Sequence, residues 1–261
     1  MQYINAKKPI NIILSGGGMK GAYQYGFFKR LYELNPNLKI NKIYGVSVGA
    51  INSIPIVLKR IDLLDKHWNA TDISPFDTIV KDWDTVCDNV YLKSIQRMMF
   101  FFMYGSLFYS LNSIPFYNIF KELSLEEIHI IKTKIIIFSF NYIENKVVIE
   151  RLTSPETTIQ AIKNSTCFPG LFNIENEIID GANINLNNIL DTRKYNVNWL
   201  CIDLQGTIKS KSNVFVYSPK IVKNCVLNMV NCLLVDKTAL NDLIINGEKD
   251  AELFFNQYYT N

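Results

Sequence analysis

Residues 40–50 read Ile40-Asn41-Lys42-Ile43-Tyr44-Gly45-Val46-Ser47-Val48-Gly49-Ala50, and this run decides the fold. Ile40 to Tyr44 is a short strand pattern, and a mostly apolar helical pattern follows from Ala50 to Leu64. Between them stands Gly45-Val46-Ser47-Val48-Gly49, a GxSxG pattern. A chain that turns sharply from strand to helix has no room for large side chains two residues before and after the turning residue. Small residues there lift a serine hydroxyl to the top of a sheet, at a helix N-terminus. A plain glycine-rich turn is the alternative, and the strand before and helix after argue against it.

Working outward, residues 9–15 (PINIILS) form an apolar run ending at glycines, which reads as a buried strand. A helix is expected over residues 19–34, where Tyr23, Phe27, Leu31 and Leu34 share helical spacing. Strand, helix, strand and helix in this order imply an α/β fold with a parallel sheet and right-handed crossovers. The first strand and helix are joined by Gly16-Gly17-Gly18-Met19-Lys20-Gly21. Glycines there expose backbone N–H groups beside a positive helix N-terminus, a cradle for a phosphate or a tetrahedral oxyanion. The loop is no Walker A, because Ala22 and Tyr23 follow Gly21 in place of Lys-Ser/Thr. It also matches GxGxxG, but a dinucleotide site expects an acidic residue ending the second strand. Here that strand runs into Gly45 to Gly49 instead.

A serine nucleophile needs a base. The two histidines, His67 and His129, both read as surface or partly packed helix residues, and none follows His129. The order Ser, acid, His of an α/β-hydrolase is therefore missing. Asp180-Gly181-Ala182 follows the apolar pair Ile178-Ile179, which places Asp180 at a strand end. Strand ends on one edge of a parallel sheet are where sites gather. Alone, an Asp-Gly pair is usually only a turn. A free carboxylate is a weak base for a hydroxyl, and partial burial is what would make direct proton abstraction workable.

Taken together, GGGMKG, GVSVG and DGA, in this order, resemble the patatin-like phospholipase family. A fourth stretch, Ala161 to Gly170 (AIKNSTCFPG), is similar to the family's helix ending ahead of the aspartate strand. The resemblance spans about residues 10–183 and implies a three-layer α/β/α fold with a mainly parallel central sheet. It implies a serine hydrolase of lipid esters, of phospholipase A or lysophospholipase type, with a Ser47–Asp180 catalytic dyad and no cofactor. Gly17 and Gly18 would form the oxyanion hole, and Gly16, Gly21, Gly45, Gly49 and Gly181 complete the motifs. Lys20 holds the family's basic position, either fixing the loop or meeting an anionic head group. Ala182 stands where many relatives carry a second glycine. A lipid transacylase, and a non-catalytic lipid- or nucleotide-binding protein using the glycine loop, are the alternatives.

The rest of the chain is consistent with one domain over its 261 residues, 48% hydrophobic and 20% charged. Further strands are expected at residues 134–141 and 146–152 around a tight turn at 143–145, and at 177–179 and 197–202. Ser154 and Pro155 open a helix to about Ser165, as N-cap and first helical residue. Val222, Val226, Met229 and Leu233 share one face of a late helix. The net charge of +3 comes from scattered residues, which speaks against nucleic acid as a partner. The first eleven residues lack the apolar core of a signal peptide. Five cysteines without CxxC spacing read as reduced thiols of an intracellular, cytoplasmic protein, and no zinc site is expected. Residues 97–120 (RMMFFFMYGSLFYSLNSIPFYNIF) are the most aromatic stretch. The apolar run from Met98 to Tyr104 is too short to span a bilayer. It reads either as a buried helix and loop, or as a lid or interfacial surface making peripheral membrane contact near Met98 to Phe120.

Overall fold

The computed structural model describes residues 9–70, 120, 123–167, 177–181, 184–190, 197–210, 213–219 and 237–259. Residues 97–119, residues 168–170, Ala182 and the helix expected around Val222 to Leu233 lie outside the described residues.

The first strand, β1 (Ile10–Leu14), is buried at every position. It lies between β2 (Ile40–Val46) and β6 (Asn198–Ile202), parallel to both. An uninterrupted apolar run is what a strand covered on both faces requires. The other strands are β3 (Ile135–Asn141), β4 (Lys146–Ile149), β5 (Ile178–Asp180) and β7 (Val214–Tyr217). Their order is β4-β3-β2-β1-β6-β7, with β5 pairing β3 in addition. The pairs among β3, β2, β1, β6 and β7 are parallel, whereas β4 and β5 run antiparallel to β3. The result is a mostly parallel sheet flanked by helices.

The helices are α1 (Gly21–Leu34), α2 (Val48–Leu58), α3 (Ile61–Ala70), α4 (Leu125–Lys134), α5 (Pro155–Ser165) and α6 (Lys237–Tyr259). The helix expected from Ala50 to Leu64 is two helices. Lys59 adopts a left-handed conformation (φ 56°), and the Arg60 amide donates back to the Pro55 carbonyl at 2.8 Å, closing α2. Ser154 caps α5 through the Thr157 amide with Pro155 at its start, and a capping box from Ser124 and Glu127 opens α4.

Alternation along the strands sorts the core. Ile12, Leu14, Ile43, Leu200 and Ile202 pack with α1, α2, α3 and α6. Ile135 and Ile137 pack with α2, α4 and α5. Ile13, Val46, Phe138, Trp199 and Cys201 point to the opposite face, against Leu186, Leu190 and Ile208. The first and last helices interlock through glycines. A Cβ at Gly26 would lie 2.1 Å from the Ile244 carbonyl oxygen, and one at Gly247 2.2 Å from that of Tyr23. Lys29–Glu248 (3.1 Å) and Arg30–Glu252 (2.7 Å) flank this contact at the surface. Among the described residues no helix is long and apolar enough to cross a membrane.

Candidate active site

β2 ends at Val46 and α2 begins at Val48, so Ser47 alone makes the turn, at φ 55° and ψ −127°. A non-glycine residue there costs on the order of 1–3 kcal/mol and persists only when its surroundings enforce it. Here they do. A Cβ at Gly49 would lie 2.2 Å from the Leu14 carbonyl oxygen, and one at Gly45 2.8 Å from the Ala50 Cα. The helix starts without delay, the Ser47 carbonyl accepting from the Ala50 amide at 2.9 Å. On the other side the Ser47 N–H donates to Ser165 Oγ at 2.9 Å. The side chain of Ser47 stays partly exposed at the C-terminal edge of the sheet.

The glycine loop leaves β1 beside it. A Cβ at Gly16 would come within 2.9 Å of the Ser47 Cβ, so only glycine lets the loop lie this close. A Cβ at Gly17 would lie 2.7 Å from the Leu204 Cβ, and one at Gly21 2.3 Å from Val48 Cγ2. Gly18 takes φ 53°, a conformation that favours glycine. Among the described residues neither the Gly17 nor the Gly18 N–H donates a backbone hydrogen bond.

Behind the loop lies a buried polar network. Lys20 is 2% exposed and its ammonium reaches the Leu204 carbonyl at 3.4 Å, so it holds the loop from inside. The Leu204 amide donates to Ser15 Oγ (2.7 Å), and Gln24 Nε2 to the Ser15 carbonyl (2.9 Å). Asn52 Nδ2 reaches both the Gly21 carbonyl and Gln24 Oε1 at 3.0 Å, and its Oδ1 accepts from Trp68 Nε1 at 3.3 Å. Buried amides bonded to one another and to the backbone fix one geometry, because breaking any bond leaves a desolvated group. Sequence reasoning missed Gln24 and Asn52; polar residues inside two otherwise apolar helix faces were the available signal.

The register places Asp180 beside the elbow. β4 and β5 both pair residues 139–141 of β3, so they occupy opposite edges of it. β2 lies across β3 from β4, on the edge β5 uses. Val46 pairs with Phe138, and Asp180 pairs with the next residue, Ser139. The two strands thus meet end to end along one edge of β3, Ser47 following one and Asp180 closing the other. A Cβ at Gly181 would lie 3.0 Å from Val46 Cγ1, which marks the closeness of the two turns. Asp180 is 6% exposed, and its amide donates to the Cys167 carbonyl at 2.8 Å.

The histidines lie on helices away from the elbow turn. His67 is half-buried on α3, its ring edge-on to Trp68, and desolvation pushes its pKa down to about 4. His129 is exposed on α4. No cluster of three His, Cys, Asp or Glu among the described residues is arranged to hold a metal ion.

Comparison with known proteins agrees with this architecture. A family model described as Patatin-like phospholipase matches residues 12–192, more than half of the chain. Among solved structures, VipD from Legionella pneumophila is similar over 96% of this chain and 67% of its own, with a TM-score of 0.57 and 12% identity. The heterodimeric ExoU–SpcU complex from the type III secretion system of Pseudomonas aeruginosa aligns at 14% identity and a TM-score of 0.35. That alignment covers 95% of this chain and 60% of the other. No curated protein matches by sequence.

Proposed function

Because this chain belongs to the patatin-like phospholipase family, whose members hydrolyse lipid esters, we propose that it cleaves acyl esters of phospholipids or lysophospholipids through Ser47 and Asp180. The observation that carries the proposal is the meeting of β2 and β5 on one edge of β3. It supports pairing the Ser47 turn, at φ 55°, with the strand end that carries Asp180.

In the proposed reaction the Asp180 carboxylate takes the Ser47 hydroxyl proton as Oγ attacks the ester carbonyl. The Gly17 and Gly18 N–H groups and the nearby helix N-terminus stabilise the tetrahedral oxyanion. Asp180 then gives its proton to the leaving alcohol or lysolipid. Water, deprotonated by the same carboxylate, attacks the acyl-serine and restores the starting state. Lipid is met at a membrane or micelle surface, a peripheral contact proposed for the aromatic stretch that begins at Met98 and stops short of Phe120, which is buried in the core.

The test is fatty-acid release from phosphatidylcholine, lysophosphatidylcholine and a short p-nitrophenyl ester. The parent is expected to release acid. Ser47→Ala should abolish release, and Asp180→Asn should lower it by about 10³-fold or more, both variants keeping their fold. Release by either variant at the parental rate contradicts the proposed chemistry.

A further inference from the structure

Ser165 touches neither the ester nor the reacting atoms in the proposed mechanism, yet it holds the elbow. It is the last residue of α5 and is wholly buried, and its hydroxyl makes two bonds at once. It donates to the Phe138 carbonyl at 2.6 Å and accepts from the Ser47 N–H at 2.9 Å. Phe138 occupies the point on β3 where pairing passes from β2 to β5. A strand edge that changes partner leaves backbone groups without a ladder mate. The serine hydroxyl, donor and acceptor together, satisfies one such group on β3 and one on the elbow. Two residues further on, the Cys167 carbonyl accepts the Asp180 amide at 2.8 Å.

We infer that residues 165–167 form a clamp that fixes the spacing of Ser47 and Asp180, with Ser165 as the positioning residue for the proposed hydrolysis. This rests on the functional reading above and extends it. The clamp bonds the backbone of both partners, so it sets their separation from one rigid segment instead of two. The Ser47 amide is also engaged with Ser165, which leaves oxyanion binding to the glycine loop. Displacing a reacting group by about 1 Å costs roughly 100-fold in rate. Removing the hydroxyl therefore affects turnover more than substrate binding.

The experiment measures kcat and KM for a soluble p-nitrophenyl ester in the parent, Ser165→Ala, Ser165→Cys, Ser165→Thr and Ser47→Ala, with circular dichroism of each. Cysteine is the nearest shape match, its sulfur somewhat larger and a weak donor, and threonine keeps the hydroxyl. The clamp predicts that the cysteine variant remains folded and loses roughly 10- to 100-fold in kcat. It predicts that KM stays within about twofold of the parent, since substrate does not touch residue 165, and that threonine recovers most of the loss. A folded alanine variant should match or exceed the cysteine loss. Parental kcat in the cysteine or the folded alanine variant, with Ser47→Ala inactive, overturns the clamp and leaves the functional proposal standing. Parental kcat in Ser47→Ala overturns the functional proposal itself. A loss confined to KM also overturns the clamp, because it assigns Ser165 to substrate binding.

Discussion

At the scale of single residues, the site depends on groups held where free chain would not place them. Ser47 sits at positive φ, Lys20 is buried, and Gly16 and Gly49 leave no room for a methyl group. His67 gives a separate, solution-level signature. Burial lowers its pKa from an ordinary 6.5 to about 4, so between these values the unfolded chain binds a proton that the folded chain does not. Stability contributed by keeping His67 neutral is complete above about pH 6.5 and is lost as pH falls toward 4. The loss is on the order of 3 kcal/mol. Glu127 and Asp62, held below the usual carboxylate range chiefly by the Ser124 cap and by Arg60 respectively, add a loss that sets in only toward the acid end of that window and below it. Urea unfolding between pH 7 and 4.5 should therefore show declining stability in the parent and a flatter profile in His67→Gln. Equal slopes in both contradict the assignment to His67.

Among the elements, the interlock of α1 with α6 carries a clear expectation. A methyl group at Gly247 meets the Tyr23 backbone at 2.2 Å, and backbone cannot move aside as a side chain can. Gly247→Ala should lower stability by about 1–3 kcal/mol or more, read as a fall in the thermal midpoint. An unchanged midpoint means that the two helices are not in this contact. The same helix shows why some of the fold is hidden in the sequence. Its buried positions Leu240, Leu243, Gly247, Ala251, Phe254 and Tyr258 keep helical spacing, but two of the six are small and weaken the apolar stripe. β7 is four residues long, too short for alternation to stand out. By contrast, β1, β2, α1 and α5 are legible because turn chemistry bounds them: glycines after β1, Ser47 after β2, and Ser154-Pro155 before α5. The break between α2 and α3 went unread because Lys59 takes a conformation that glycine usually marks.

For the whole molecule, the sheet topology accounts for how the proposed site is assembled. Ser47, Gly17, Gly18 and Asp180 come from three separated segments, and each motif alone suits several chemistries. Their order along the chain pointed to the family. The register of β1 on β2, and of β2 and β5 on β3, puts the segments together, and no linear pattern encodes that register. Ser165 stayed unread for the same reason, because its partners lie 27 and 118 residues away. The central claim is that Ser47 is a nucleophile activated by Asp180. Its most direct test is peptide mapping after exposure to an alkyl fluorophosphonate, which traps only an activated serine. The account predicts one adduct, on the peptide containing Ser47, absent in Ser47→Ala and formed at least about 100-fold more slowly in Asp180→Asn. An adduct on another serine, or labelling of Asp180→Asn at the parental rate, contradicts it.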